Sequence, residues 1–359
     1  MKIKVLKFGG TSVGSIEAIK RSADIIHDWS KKSKVIAVLS AMSGETDRLI
    51  NLTKSFSKNP NPIDFDNAIS SGENVSCALM SICLNNQKIK AKSLLSWQIP
   101  IITSSEHMKS RILSINKKFL YDELENFDVL VIPGFQGINN KGELTTLGRG
   151  GSDTSAVAVA AAMETECIIY TDVEGVFTTD PNIVPKAKKI NKISYEEMLE
   201  LASQGAKVLQ TRSVELAMRK NTKLSVRSSF KPKKIGTMIT DEKSVLENNT
   251  VSGITYSKDE AKITLSRVQD KPGVSSKIFG PLAKGNINVD MILQNISQDG
   301  KFANLSFTLP RLDLEKALKI LKKEKSTIGY KKIISSNNIS KISVAVSYTH
   351  LTLPTKKRG

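Results

Sequence analysis

The chain has 359 residues, 40% of them hydrophobic, and carries 53 Lys and Arg against 35 Asp and Glu, a formal net charge of +18. A chain of this size can bury a large core and is expected to divide into two or three domains. Its apolar runs, such as residues 129–133 and 156–163, fall far short of the ~20 residues a spanning helix needs, and the N-terminus enters a strand pattern directly, so the expectation is a cytoplasmic protein with no membrane partner.

The positive charge does not single out nucleic acid. The lysines are scattered, with short clusters at residues 231–234, 322–325 and 356–358, and aromatic residues make up only 5% of the chain. That distribution reads as a solvated lysine-rich surface, without a track for a phosphate backbone or a platform for bases. Cys77, Cys83 and Cys167 form no CxxC pair and are expected to be reduced core thiols, while His27, His107 and His350 share no metal-ligand spacing.

In chain order, KIKVLKF at residues 2–8 reads as a strand that stops at Gly9 and Gly10, a phosphate-type turn when a second anion loop exists. Ile16, Ile19, Ala23 and Ile26 then recur at helical spacing, and residues 35–39 form an apolar strand ending at Ser40, which makes a β-α-β start with parallel strands. SGETD at residues 43–47 and SSGEN at residues 70–74 read as capped helix starts. Glu73 sits in the first turn of the second helix; there it either complements the helix dipole or accepts hydrogen bonds from an ammonium group. Residues 129–133 read as a buried strand, residues 134–137 as a loop and residues 139–142 as a turn.

TTLGRGGSDTSAVAVAAA at residues 145–162 is the stretch around which the chain is expected to be arranged. Gly148, Gly150 and Gly151 free the backbone on both sides of Arg149, and Ser152 and Asp153 are N-cap residue types before an Ala-rich helix. The pattern fits either an anion site at a helix start with Arg149 as its forked hook, or a plain turn before a core helix. Residues 168–170 make a further strand ended by Thr171 and Asp172, and GVFTTDP at residues 175–181 is a loop able to wrap a base and ribose.

KFGGTS at residues 7–12, TTLGRGGSDT at 145–154, TDVEGVFTTDP at 171–181, GAKVL at 205–209 and VRSSF at 226–230 together resemble the aspartokinases, over about residues 1–345. The resemblance implies an α/β class: a doubly wound, mainly parallel sheet sandwiched by helices, the amino-acid kinase fold, in residues 1–245. An α+β ferredoxin-like ACT region is then expected in residues 246–345, with one complete ACT domain and the first strand of a truncated second. Residues 263–268, 270–273, 278–283 and 286–297 read as that domain's strand, loop, helix and strand. Residues 346–359 depart from the family pattern and are expected to be a foreign, disordered tail.

The implied reaction is transfer of the ATP γ-phosphoryl group, with Mg²⁺, to the β-carboxylate of L-aspartate. A carboxylate with a pKa of ~3.9 is already ionised at pH 7, so no general base is required, which agrees with motifs that contain no histidine. By the resemblance, Lys7, Asp153 and Arg149 are catalytic, and Glu73 and Arg149, with Thr46 and Ser152, seat aspartate. Lys7, Phe8, Gly9, Gly10, Ser40, Ser152, Thr171, Asp172, Phe177, Thr178, Thr179, Asp180, Pro181, Asn182 and Lys207 would hold the nucleotide. Asn182 stands where many relatives carry arginine, and no residue is assigned to Mg²⁺. Asp270, Gly273, Ser275, Asn288, Asp290 and Gln294 would form one wall of a lysine or threonine effector pocket, completed in a homodimer by the partner's second ACT domain, a pairing expected to be weakened here. The other readings are a kinase with a different carboxylate substrate and an inactive amino-acid-sensing subunit.

Overall fold

A strand with helices on both faces buries nearly every residue, and two segments near the N-terminus do so: β1 (Ile3–Phe8) and β2 (Lys34–Leu39). In the computed structural model, which describes residues 2–206, 208–241, 251–297 and 301–346, they are central strands of an eight-stranded sheet. The tail from residue 347 onward lies outside the described residues. The first unit comprises the chain through Ile254 together with the last described residues from Val344, and the second is Thr255–Ser343.

After β1 come α1 (Ile16–Ser30), β2, α2 (Glu45–Phe56), α3 (Pro62–Ile69), α4 (Ser71–Asn86), β3 (Ala91–Ser93), β4 (Ile101–Thr103), β5 (Ile112–Ile115) and α5 (Lys117–Asn126). The chain continues through β6 (Val129–Pro133), β7 (Gln136–Ile138), β8 (Leu144–Thr146), α6 (Gly151–Ala162), β9 (Cys167–Thr171) and β10 (Lys192–Ser194). Helices α7 (Tyr195–Ser203) and α8 (Thr211–Lys220) and strands β11 (Leu224–Ser228) and β12 (Thr237–Thr240) follow. The large sheet has the order β10-β12-β11-β9-β1-β2-β6-β3, and its neighbouring strands are parallel except β11 with β12. A second sheet has the order β5-β4-β7-β8.

The register of the parallel strands creates the site. Phe8 pairs with Leu39 and Tyr170, Leu39 with Pro133, and Thr171 with Ser228, so β1, β2, β6, β9 and β11 all end on one edge of the sheet. Loops leaving the carboxyl ends of parallel strands are where such sheets bind ligands. Alternation along β1 sorts its side chains: Val5 joins the core beneath α6, while Leu6 and Phe8 join the core under α1 and α4. Lys7 shares the parity of Val5 and therefore points to the α6 side.

Three local expectations are corrected. Helices α2 and α4 exist, but Gly44 and Ser70 at their N-caps make no side-chain capping bond; Gly44 instead turns the chain in the left-handed region at φ 78. Residues 134–137 are not wholly loop, because Gln136 opens β7 and is fully buried, accepting from Ser96 Oγ at 3.0 Å and donating to Ser70 O at 2.9 Å. Helix α6 starts at Gly151 on a Gly150 cap, so Ser152 and Asp153 lie inside the first turn and do not cap it.

In the second unit β13 (Val251–Gln269), which begins in the first, leads to α9 (Val274–Lys284), β14 (Ile292–Ile296), β15 (Phe302–Pro310), α10 (Leu314–Lys323), α11 (Lys325–Ile328) and β16 (Lys332–Val346). The sheet order is β14-β15-β13-β16, and Ile263, Leu265, Ile278, Leu305, Phe307 and Leu321 share one core under α9 and α10. This is the α+β arrangement expected for the region.

Candidate active site

The carboxyl ends of the strands and the start of α6 enclose a cavity of about 950 Å³. Its wall includes Lys7, Gly9, Gly10, Ser40, Thr46, Glu73, Arg149, Ser152, Asp153, Thr171 and Asp172, so most of the residues singled out in the sequence for catalysis, substrate and nucleotide meet around one space.

Lys7 and Asp153 are its electrostatic centre. The Nζ of Lys7 lies 2.6 Å from Asp153 Oδ1, with both side chains almost fully buried. Strand parity aims the lysine at α6, and the early start of α6 puts Asp153 within reach. A buried ammonium needs a partner and a fixed geometry, and the carboxylate supplies both. Glycine at position 9 keeps the space above the ammonium open: a Cβ there would sit 3.4 Å from Lys7 Nζ. Opposite stands the glycine loop. Gly148 and Gly150 take φ of +80 and +72, conformations that favour glycine, and the turn delivers the first-turn N–H groups of α6 and the exposed Arg149 side chain to the cavity.

Glu73 is the third charged element. It is 3% exposed; Oε1 accepts from the Ala41 N–H at 3.1 Å, and Oε2 is buried with no hydrogen-bond partner among the described residues. Burial pushes its carboxyl up to about 7, against the Ala41 and Glu73 backbone N–H groups that pull it down. A carboxylate with one oxygen hydrogen-bonded and the other unmatched is built to receive a donor from a ligand.

Other expected residues are placed elsewhere. The ring of Phe8 is in the core, stacked on Tyr170 at 5.1 Å between centroids, so its side chain does not meet a ligand. Phe177, Thr178, Thr179, Asp180, Pro181 and Asn182 lie outside this cavity wall; Phe177 bridges to Lys189, and Asp180 Oδ1 accepts from the Asn182 N–H at 2.9 Å. Lys207 lies outside the described residues. In the second unit, Gln294 Nε2 donates to Asp270 Oδ1 at 3.0 Å, Gly273 caps α9 with Ser275 in its first turn, Asn288 is exposed, and Asp290 pairs with Lys341 of β16.

Sequence reasoning missed Met108 and Phe135, which line the cavity with left-handed backbones at φ 65 and 69. Non-glycine residues in that region are uncommon and concentrate at functional sites, but neither residue type signals the conformation in advance. No group of three or more metal-type side chains forms among the described residues, and no described helix is long and apolar enough to cross a membrane.

A glycine-lined cavity at the carboxyl edge of a parallel sheet, with a buried lysine–aspartate pair, defines a phosphate-handling α/β protein. The profile of the Amino acid kinase family matches residues 2–228 and that of the ACT domain residues 263–326, and the chain belongs to that kinase family. Within it, the chain belongs with the aspartokinases: it is 46% identical over 347 residues to an aspartate kinase of Pseudomonas putida, covering 96% of this chain and 84% of that one. An aspartokinase of Helicobacter pylori is 47% identical over 349 residues, 95% of this chain and 84% of the relative. Among solved structures, aspartokinase III of E. coli in complex with lysine and aspartate superposes with a TM-score of 0.77 at 25% identity, covering 96% of this chain and 87% of that one.

Proposed function

We propose that this cavity is where the γ-phosphoryl group of ATP passes to the β-carboxylate of L-aspartate, giving 4-phospho-L-aspartate and ADP. Membership of the aspartokinases establishes the kinase class; the roles of individual residues are our reading. The observation that carries it is Glu73 Oε2, a buried acceptor without a partner in the same cavity as Lys7 and Arg149. An α-ammonium group satisfies that oxygen, and a second carboxylate or a phosphate does not.

In this reading Arg149 grips the α-carboxylate with its planar fork while Thr46 and Ser152 seat the rest of the amino acid. Gly9, Gly10 and the α6 N-terminus receive the phosphates, with Ser40, Thr171 and Asp172 along the nucleotide side. The residues 177–182 extend that side beyond the cavity wall. Lys7 neutralises charge that grows on the transferred group, and Asp153 holds its Nζ in place. An aspartate β-carboxylate oxygen forms the new bond to phosphorus as the bond to the ADP oxygen breaks, and no proton needs to be removed. Mg²⁺ supplies further charge neutralisation when bound. With no cluster of metal-type ligands among the described residues, it fits as an ion carried by the nucleotide phosphates.

We assign the kinase domain to residues 1–245 and the ACT region to residues 246–345. Asp270, Gly273, Ser275, Asn288, Asp290 and Gln294 are the proposed contacts for a lysine or threonine effector, and a homodimer is the proposed assembly. A coupled assay of ADP release with L-aspartate, L-glutamate and no acceptor tests the activity, with hydroxylamine trapping of the acyl phosphate as a direct readout. ADP release that ignores L-aspartate removes the proposal.

A further inference from the structure

Asp66 is fully buried in α3, yet it belongs to none of the motifs and touches no proposed ligand. Its Oδ2 accepts from His107 Nδ1 at 2.8 Å, from the Met108 N–H at 3.0 Å and from the Thr146 N–H at 3.1 Å; its Oδ1 accepts from Thr146 Oγ1 at 2.6 Å. Four donors from two distant stretches converge on one carboxylate. Arg212 of α8 braces the same two stretches, donating through Nη1 to Leu147 O at 2.9 Å and through Nη2 to Ser110 O at 2.8 Å. Ser110 completes the lacing, with its N–H and hydroxyl both donating to Thr146 O.

Everything this bracket joins faces the cavity on one side. Helix α3 contributes Phe65 and Ile69 to the wall, the next stretch Met108, and the last Thr146 and the loop that carries Arg149. Met108 is held at φ 65, and its carbonyl lies where a side chain at Gly148 would go, 2.9 Å from an added Cβ. The Met108 carbonyl thus sets the start of the glycine turn, and Asp66 holds Met108 in its strained conformation by fixing the N–H. Among the described residues, no hydrogen bond joins Gly9, Gly10, Thr171 or Asp172, on the nucleotide side, to this bracket.

We infer that Asp66, braced by Arg212, is a positioning residue for the acceptor half of the cavity: it fixes the Met108 turn and the launch of the Arg149 loop, and thereby sets the affinity for the amino-acid substrate and not for ATP. This rests on the proposed reading of Arg149 as the substrate's carboxylate hook. An asparagine at position 66 keeps an acceptor for the three N–H donors only by turning its NH₂ onto the Thr146 hydroxyl, which must then accept instead of donate, and it loses the charge that strengthens all four bonds.

The test is steady-state kinetics of Asp66→Asn and Arg212→Lys beside the parent enzyme and Leu124→Ala, a control in the α5 core away from the cavity. We expect aspartate KM to rise about tenfold or more in Asp66→Asn with ATP KM within about twofold of the parent, since small misplacements of a binding group have large effects. Leu124→Ala should lose stability with both KM values unchanged. Arg212→Lys keeps the charge, loses the fork, and should show the same one-sided signature, which keeps the inference exposed even where Asp66→Asn does not fold. Adding Met108→Gly to Asp66→Asn should recover part of the lost affinity, because glycine adopts the left-handed turn without help. Folded variants with unchanged aspartate KM, or with both KM values raised together, overturn the inference alone. A parent enzyme that does not use aspartate overturns the substrate reading and the inference with it.

Discussion

Replacing Glu73 by glutamine separates what this residue contributes to binding from what it costs the fold. Burial raises its carboxyl from 4.5 to about 7. Between those two values the folded chain holds a proton that the unfolded chain releases, so native stability falls as pH rises through that window and stays level above it. At ~1.4 kcal/mol per pH unit the loss is about 3 kcal/mol. Glutamine is neutral, nearly isosteric, and keeps an acceptor for the Ala41 N–H. Glu73→Gln should therefore be more stable than the parent by about 3 kcal/mol at pH 8 and nearly equal to it near pH 4.5. Urea unfolding of both proteins at pH 5 and pH 8 measures the difference. The cost appears in binding, where loss of the buried acceptor for the substrate ammonium should raise aspartate KM by about 30-fold or more. In the parent, aspartate KM should also climb as pH falls below about 7, since the free carboxyl is then protonated; in the variant it should not. A stability gain of equal size at both pH values would refute the reasoning, because it would show that the substitution improves packing and not that it removes a buried charge.

Lys7→Ala should lower kcat about 10²–10³-fold and, because it leaves the buried Asp153 carboxylate without its ammonium, should also lower the unfolding midpoint; a folded variant that keeps more than about a tenth of parental turnover removes Lys7 from its proposed role. Arg149→Lys should be almost as damaging as Arg149→Ala, mainly through aspartate KM, because lysine cannot reproduce the forked grip. A rise confined to ATP KM would move Arg149 to the nucleotide. Chelation of divalent cations should stop turnover without shifting the melting temperature, and Mg²⁺ should restore it in proportion to the MgATP formed; a fall in melting temperature on chelation would point to a protein-held ion.

The readable part of the site was the part written in local pattern. Alternation along IKVLKF sends Lys7 to one face of the sheet, and three glycines around Arg149 announce a turn before a helix. The same alternation groups Phe8 with Leu6, which is why its ring is in the core, so the family-based assignment of Phe8 to the nucleotide rests on its backbone alone. Ser152 and Asp153 resembled caps because of their residue types, but left-handed Gly150 took the cap and left Asp153 free to pair with Lys7. Asp66 was not legible at all. It sits in PIDFDNAI two residues from Asp64, indistinguishable by type, and its partners are 41 to 80 residues away in sequence. No propensity encodes a bond across that separation, or the left-handed backbones of Met108 and Phe135.

Counting donors distinguishes the roles of three buried carboxylates, Asp66, Asp153 and Glu73. Asp66 receives four hydrogen bonds, two of them from backbone N–H groups, and has no capacity left for a ligand. Asp153 is committed to an ammonium supplied by the protein itself. Glu73 holds one backbone N–H on Oε1 and nothing on Oε2. Desolvating a carboxylate is costly when its acceptors are unmatched, so the first two are settled in the unliganded protein and the third is not. Glu73 therefore gains most when an ammonium arrives, and the protein that carries it unpaired should bind the amino acid more tightly at pH 8, where the carboxyl is ionised, than at pH 6. Isothermal titration of L-aspartate at those two pH values, in two buffers of different ionisation enthalpy, would count the proton released on binding at pH 6. Binding at pH 6 without proton release would show that Glu73 does not receive the ammonium group.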